Sequence, residues 1–130
     1  QGGLLDVVYK KISNTPYIYY TYSRDVDGTV VTTLGRSIYR ELKLTSHEVL
    51  FTSKIISDNS RHFGSRIQFV GNYIFMTIGD RGERKYAQSL SYHHGKIFWL
   101  ILAYAVASGN LVQPQKWVER TSVFPTVEST

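Results

Sequence analysis

The chain has 130 residues, of which 42 % are hydrophobic and 19 % are charged, and it contains no cysteine. A chain of this length buries roughly two-thirds of its unfolded surface when it folds as one domain, which is enough for a hydrophobic core. Because the hydrophobic fraction is high and the charged fraction is moderate, the composition excludes wholesale disorder. The absence of cysteine excludes a disulfide framework, thiol catalysis and any zinc site built on thiolates.

Lysine and arginine exceed aspartate and glutamate by 15 to 10, which gives a net charge of +5. These basic residues are spread over both halves of the chain and form no recognition motif, so we expect no nucleic-acid partner. The longest apolar run, residues 97–107, is about half as long as a bilayer span requires, so we expect no membrane span. The chain opens on Gln1 without an initiator methionine or a signal peptide, which indicates an internal piece of a longer protein.

Aromatic and β-branched runs in the first part of the chain predict a β-hairpin. Residues 17–22 are an unbroken run of strand formers that begins just after Pro16. Residues 25–28, Asp-Val-Asp-Gly, then predict a turn before a second β-branched run. Residues 16–39 therefore predict a hairpin.

Four further strands are predicted, over residues 47–52, 67–70, 73–78 and 95–102. Gly71-Asn72 is a strong two-residue turn signal, so the second and third of these predict another hairpin. The last apolar run also fits a buried helical segment, and residues 83–91 predict at most a turn or two of helix. Short strands at close intervals predict an all-β sandwich, barrel or propeller, and their spacing does not choose among the three.

One predicted pair of residues could carry chemistry. If Gly71-Asn72 closes a hairpin, its strands are antiparallel, so His62 before the first strand lies close to Asp80 after the second. A carboxylate that holds one ring nitrogen fixes the tautomer and raises the basicity of the other nitrogen, as a general base requires. The alternative, a loop histidine and a turn residue with no joint role, is favoured on spacing alone.

The remaining histidines give no metal site. We expect His47 to have no nearby partner at all, and we expect the adjacent His93 and His94 to point to opposite faces, as neighbours on a strand do. The chain contains no motif for zinc, EF-hand calcium, phosphate-loop or dinucleotide binding. We therefore predict no metal ligands among these residues.

Six short motifs occur in one order along residues 1–97. They are QGGLLDV at 1–7, YIYYTYS at 17–23, HFGSR at 62–66, IGDRG at 78–82, AQSL at 87–90 and HGKI at 94–97. In these motifs the chain resembles the glucose/sorbosone dehydrogenase family, the aldose dehydrogenases that depend on pyrroloquinoline quinone (PQQ).

The resemblance implies a fold and a set of site residues. It implies a six-bladed β-propeller, of which residues 1–130 would form a single partial domain of about two to three blades of antiparallel strands. It implies that His62 is the general base, that Asp80 orients it, and that Gln1 faces the cofactor and the substrate. PQQ and calcium are the implied cofactors, and most of their binding residues would lie outside this chain.

The resemblance also implies a reaction, the oxidation of the anomeric carbon of an aldose sugar to a lactone. The base removes the proton of the anomeric hydroxyl while hydride passes to the quinone, which an external electron acceptor then reoxidises. The implied location is periplasmic or secreted. We expect no turnover from the 130 residues alone, since most of the cofactor site would be missing.

Three segments depart from the family pattern. Residues 9–12 replace a His-Pro-Asp-Phe turn, and the divergent segment 98–130 begins with an apolar run in place of a polar loop. Arg61 replaces a short polar or acidic residue before the base; its guanidinium either acts electrostatically on the imidazole or binds an anionic carboxylate of the quinone. Two alternatives therefore stay open, a non-catalytic propeller-derived binding module and a degenerate gene product.

Overall fold

The computed structural model describes residues 2–55 and 57–101. Within them the chain forms two antiparallel β-sheets and one 3-10 turn, Arg84–Tyr86. The strands are β1 (Leu4–Ile12), β2 (Thr15–Val26), β3 (Thr29–Arg40), β4 (Lys43–Thr52), β5 (Gly64–Val70), β6 (Tyr73–Ile78) and β7 (Lys96–Ile101).

The first sheet is a meander in the order β1-β2-β3-β4. Each of its hairpins turns through two residues at positive φ, a geometry that matches the right-handed twist of the flanking strands. These turns are Ser13-Asn14, Asp27-Gly28 and Glu41-Leu42. Because the turns are this tight, the sheet follows the chain order without a crossover.

The second sheet has the order β5-β6-β7. Gly71, at a φ of 57°, closes the hairpin between β5 and β6, and Gly64 pairs with Ile78 at its open end. The chain reaches this sheet through the loop that contains His62. It leaves β6 through the loop that contains Asp80, so both loops lie at the same end of the sheet.

The hydrophobic core lies between the two sheets. Tyr19 and Leu34 of the first sheet and Ile74 and Met76 of the second are fully buried in it. The ring of Tyr19 packs edge-on against Phe69, with 4.9 Å between the centroids. Burial of side chains of this size contributes roughly 1.5–3 kcal/mol each.

Polar contacts also join the two sheets. Oδ2 of Asp6 on β1 accepts a hydrogen bond of 2.9 Å from the amide of Ile67 on β5. The hydroxyl of Thr21 on β2 donates to the carbonyl of Ser65 on β5 at 2.7 Å. These bonds fix how the second sheet sits against the first, and therefore where its loops lie.

The all-β prediction is confirmed, and the two antiparallel sheets have the form of neighbouring blades in a partial propeller. The hairpins predicted over residues 16–39 and 67–78 are both present. Residues 9–12 continue β1 instead of turning, and the strand predicted at 47–52 begins four residues earlier, at Lys43. The apolar run after Gly95 forms a strand, so its helical interpretation is wrong as far as Ile101. Gln1 and residues 102–130, which include most of the divergent segment, lie outside the described residues.

Candidate active site

His62 and Asp80 meet at the open end of the β5–β6 hairpin. Because Gly64 pairs with Ile78, residues two positions farther out on each side face each other. Nδ1 of His62 lies 2.7 Å from Oδ1 of Asp80, which confirms the predicted contact between the two side chains.

The surroundings of Asp80 determine whether His62 or Asp80 carries the proton of the hydrogen bond between them. Its Oδ1 also accepts a hydrogen bond of 2.9 Å from the amide of Gly82. The Gly82 amide, and then His62, lower the pKa of Asp80 below its ordinary value, although partial burial opposes them. An ionised carboxylate can only accept hydrogen bonds, so the proton of this contact belongs to Nδ1 of His62. In the neutral ring Nε2 is then left with its lone pair.

The imidazole is accessible to a ligand, whereas its carboxylate partner is more enclosed. The side chain of His62 is 58 % exposed and that of Asp80 is 26 % exposed. A general base needs this arrangement, because a carboxylate holds one nitrogen of an imidazole that a substrate can still reach.

Arg61 lies beside this pair at the surface. A Cβ atom built on Gly82 would lie 2.9 Å from Nε of Arg61, so the side chain passes directly over the turn that holds Asp80. The predicted candidate Arg61 therefore joins His62 and Asp80 at one rim. It places an exposed cation within reach of any anionic group that binds there.

The fourth predicted site residue, Gln1, lies outside the described residues. Its neighbour Gly2 does lie near the rim, because a Cβ on Gly2 would be 3.8 Å from the ring of Phe63, the residue after His62. The carbonyl and amide of Gly3 are bound by the backbone amide and the hydroxyl of Ser23, at 2.9 and 2.6 Å.

A buried lysine supports the far side of the Asp80 loop, a role that sequence analysis missed. Nζ of Lys96 donates to the carbonyls of Tyr86, Ala87 and His94, and its burial lowers its pKa. The carbonyls of Tyr86 and Ala87 lie at the end of the 3-10 turn, where a cation is a favourable partner. Lys96 belongs to the HGKI motif, but its charge pattern does not distinguish it from an exposed lysine of β7.

His93 and His47 make packing and hydrogen-bonding contacts away from the His62–Asp80 pair. His93 stacks on Phe51 with 5.5 Å between ring centroids, and its Nδ1 accepts a hydrogen bond of 2.9 Å from the amide of Lys54. Burial, reinforced by nearby positive charge, lowers the pKa of His93 to about 4. The expectation that His47 has no partner is wrong, because its Nδ1 is hydrogen-bonded to the hydroxyl of Tyr20. Among the described residues, no three histidine or acidic side chains cluster as they would to hold a metal ion.

None of the described residues belongs to a helix with the length and apolar character needed to cross a membrane.

The model of the family named Glucose / Sorbosone dehydrogenase matches residues 1–124. The chain belongs to this family. That match covers all the described residues, so the motifs from which the resemblance was inferred are part of a family relationship along nearly the whole chain.

Two curated proteins are similar in sequence to this family member. The aldose sugar dehydrogenase YliI of Escherichia coli is 32 % identical over 102 residues, which are 75 % of this chain and 28 % of the relative. The uncharacterized protein slr1608 of Synechocystis is 30 % identical over 109 residues, which are 75 % of this chain and 26 % of the relative. The chain thus spans little more than a quarter of each relative.

Solved structures show the same relationship in three dimensions. The soluble aldose sugar dehydrogenase of Escherichia coli, in its apo-form, matches 78 % of this glucose/sorbosone dehydrogenase family member with a TM-score of 0.72 and 31 % identity. A protein named glucose dehydrogenase matches 85 % of it with a TM-score of 0.71 and 26 % identity. The chain covers 30 % and 36 % of these two structures.

Proposed function

We propose that this chain carries the catalytic base of an aldose dehydrogenase that oxidises the anomeric carbon of a sugar to a lactone. The observation that carries the proposal is the 2.7 Å contact between His62 Nδ1 and Asp80 Oδ1 at an exposed rim. Family membership and the names of the relatives support an aldose as the substrate class.

In this proposal Nε2 of His62 receives the proton of the anomeric hydroxyl. As that O–H bond breaks, the oxygen forms a double bond to the anomeric carbon, and the hydrogen of that carbon leaves as hydride to an acceptor. The sugar loses two electrons and two protons in all, and the product is the lactone. Asp80 stabilises the imidazolium that forms and keeps the ring oriented.

We further propose PQQ as the acceptor, and the described residues fit one edge of it. PQQ carries carboxylates, and Arg61 offers a guanidinium beside the base, where a bidentate contact with a carboxylate would hold the cofactor next to the substrate. Gln1 would complete this edge. When bound, the quinone supplies the chemistry of hydride acceptance.

The rest of the cofactor site belongs, in this proposal, to residues outside the described ones. Calcium would be held there too, since residues 2–55 and 57–101 contain no cluster of three acidic or histidine side chains. An external electron acceptor would reoxidise the quinone, and the location would be periplasmic or secreted.

The test compares two histidine variants in a full-length protein that also contains the rest of the cofactor site. With PQQ, calcium, an aldose and a redox dye, we expect His62→Ala to lower kcat on the order of 10²- to 10⁴-fold, the usual contribution of a general base. PQQ binding should be largely retained. His47→Ala, which removes an imidazole from the first sheet, is the matched control and should keep full turnover. Wild-type turnover in His62→Ala would refute the proposed function.

A further inference from the structure

The turn between Asp80 and Gly82 contains a fully buried arginine. Arg81 is 0 % exposed, although its sequence context of glycines and charges is typical of an exposed loop. Burial lowers the pKa of Arg81 and makes its charge costly unless every donor finds an acceptor. Within residues 2–55 and 57–101 no carboxylate pairs with this guanidinium, so its acceptors are of another kind.

Those acceptors are backbone carbonyls around the loop of His62. Nε of Arg81 donates to the carbonyl of Arg61 at 2.9 Å, Nη1 donates to that of Val30 at 2.7 Å, and Nη2 donates to that of Asn59. The guanidinium also lies over the ring of Phe63, with Cζ 4.0 Å from the centroid. Arg81 therefore binds the residues immediately before and after His62.

The backbone of Arg81 is fixed in the same way. Its carbonyl accepts a hydrogen bond of 3.0 Å from the hydroxyl of Ser57, which in turn accepts one of 3.1 Å from the amide of Asn59. Its φ of 55° turns the chain so that the next amide, that of Gly82, donates to the carboxylate of Asp80. One residue thus constrains the carboxylate through its backbone and the imidazole through its side chain.

We propose that Arg81 is a positioning residue that sets the distance between His62 and Asp80, an inference that rests on the proposed function of His62. The guanidinium presents its donors from three nitrogens of one rigid plane, whereas a lysine presents them all from a single nitrogen at the end of a flexible stem. Displacement of a catalytic group by about 1 Å costs on the order of 100-fold in rate. Loss of the Arg81 hydrogen bonds should therefore separate His62 from Asp80 and slow turnover, although both of these residues remain present.

The test uses Arg81→Lys, which keeps the charge, and Arg81→Met, which keeps the length. The readout in this chain is the NMR signal of the His62 Nδ1 proton, together with the ring ¹⁵N shifts that report its tautomer. We expect both variants to lose the bonded Nδ1 proton. In the full-length protein kcat should fall about 10- to 100-fold while KM changes by less than about threefold.

Arg36→Met is the matched control. Like Arg81, Arg36 stacks on an aromatic ring, with Cζ 4.3 Å from the centroid of Tyr17, although it is only partly buried. It lies six residues along β3 from Val30, about 20 Å away, so its loss should reduce stability but leave the Nδ1 signal in place. A bonded Nδ1 proton in folded Arg81→Lys would overturn the proposal.

If neither Arg81 variant folds, the wild-type chain decides. The Nε proton of Arg81 should exchange slowly with water and show cross-peaks to the ring of Phe63; exchange as fast as that of the exposed Arg40 would overturn the proposal.

The experiments distinguish the failure of the positioning role of Arg81 from the failure of the proposed base. Loss of the Nδ1 bond in Arg81→Lys, with full turnover in His62→Ala, would refute the proposed base and leave the positioning role. Loss of turnover in His62→Ala, with an intact Nδ1 bond in Arg81→Lys, would support the proposed base and refute the positioning role of Arg81.

Discussion

The backbone of Gly79 lies directly against that of His62. A Cβ atom on Gly79 would be 2.0 Å from the carbonyl oxygen of His62 and 2.7 Å from its carbonyl carbon, closer than any side chain can come. The amide of Gly79 also donates to the carbonyl of Phe63 at 3.1 Å. The two loops can therefore hold the imidazole against Asp80 only because position 79 has no side chain.

Gly79→Ala should separate these loops. We expect it to lower the free energy of unfolding by roughly 1–3 kcal/mol, the usual cost of forcing an extra group into a packed site. The bonded Nδ1 proton of His62 should also disappear. Urea unfolding and NMR measure the two effects.

Gly71→Ala is the control for this change. Gly71 has positive φ but no atom within 4 Å of a built Cβ, so alanine there strains the backbone without touching the site. An unchanged His62–Asp80 contact in Gly79→Ala would contradict the steric argument.

The parts of the fold that the sequence predicted are those encoded by local pattern. Asp27-Gly28 and Gly71-Asn72 are turn signals with a clear backbone reason, and each sits between runs of strand formers. The antiparallel hairpin then brings His62 and Asp80 together without any knowledge of the rest of the chain. That is why the contact could be predicted from spacing.

The features that were missed depend on tertiary contacts. The turn at Glu41-Leu42 has neither glycine nor asparagine, and both residues take positive φ because the flanking strands pair around them. The pairing of β3 with β4 was therefore not predicted, and β4 was predicted only from residue 47 onward. The burial of Arg81 was not predicted, because its three acceptors come from other parts of the chain, such as Val30 on β3.

Asp80→Asn should disable the base while leaving the imidazole in place. A neutral amide removes the charge that stabilises the imidazolium and no longer requires the Nδ1 tautomer. In the full-length protein we expect kcat to fall on the order of 10²- to 10⁴-fold. A dye-linked assay measures this, and Asp58→Asn in the exposed loop is the control; equal activity of the two variants would count against the pair.

The same substitution should change how stability depends on pH. The folded-state pKa of Asp80 lies below its ordinary value of 3.8, so ionisation favours the folded chain. This contribution is fully present above the unfolded-state pKa and is lost as the pH falls through the lower folded-state pKa. The stability difference between wild type and Asp80→Asn should therefore be constant above about pH 5 and shrink below pH 4. A difference that grows on acidification would contradict the sign of the pKa shift.

His93 should make the folded chain sensitive to mild acid. Its pKa falls from 6.5 to about 4 on folding, so the unfolded chain binds the extra proton first as the pH drops. Stability should therefore decrease from pH 6.5 to pH 4, by on the order of 3 kcal/mol from this residue. The positive groups that disfavour its protonation are those of Lys54, His94 and Lys96.

His93→Asn tests this assignment. Asparagine can still accept the hydrogen bond from the amide of Lys54 but does not titrate. The variant should be less stable than wild type at pH 7, because it loses the stacking on Phe51, and its stability should fall less steeply between pH 6.5 and 4. Urea unfolding at several pH values gives both slopes, and equal slopes would show that His93 is not the titrating group.

The 130-residue chain alone should not bind PQQ with micromolar affinity. Holding the carboxylates of the quinone takes several converging cationic and amide groups, and a divalent cation is needed to polarise its carbonyl oxygens. In the proposed site, Arg61 and the His62–Asp80 pair would supply one edge, and Gln1 would add at most one amide. Calorimetric titration of the isolated chain, with calcium present, should therefore give no saturable heat, and mixing with glucose and a redox dye should give no dye reduction. Tight binding of one quinone per chain would show that this rim alone provides a complete cofactor site.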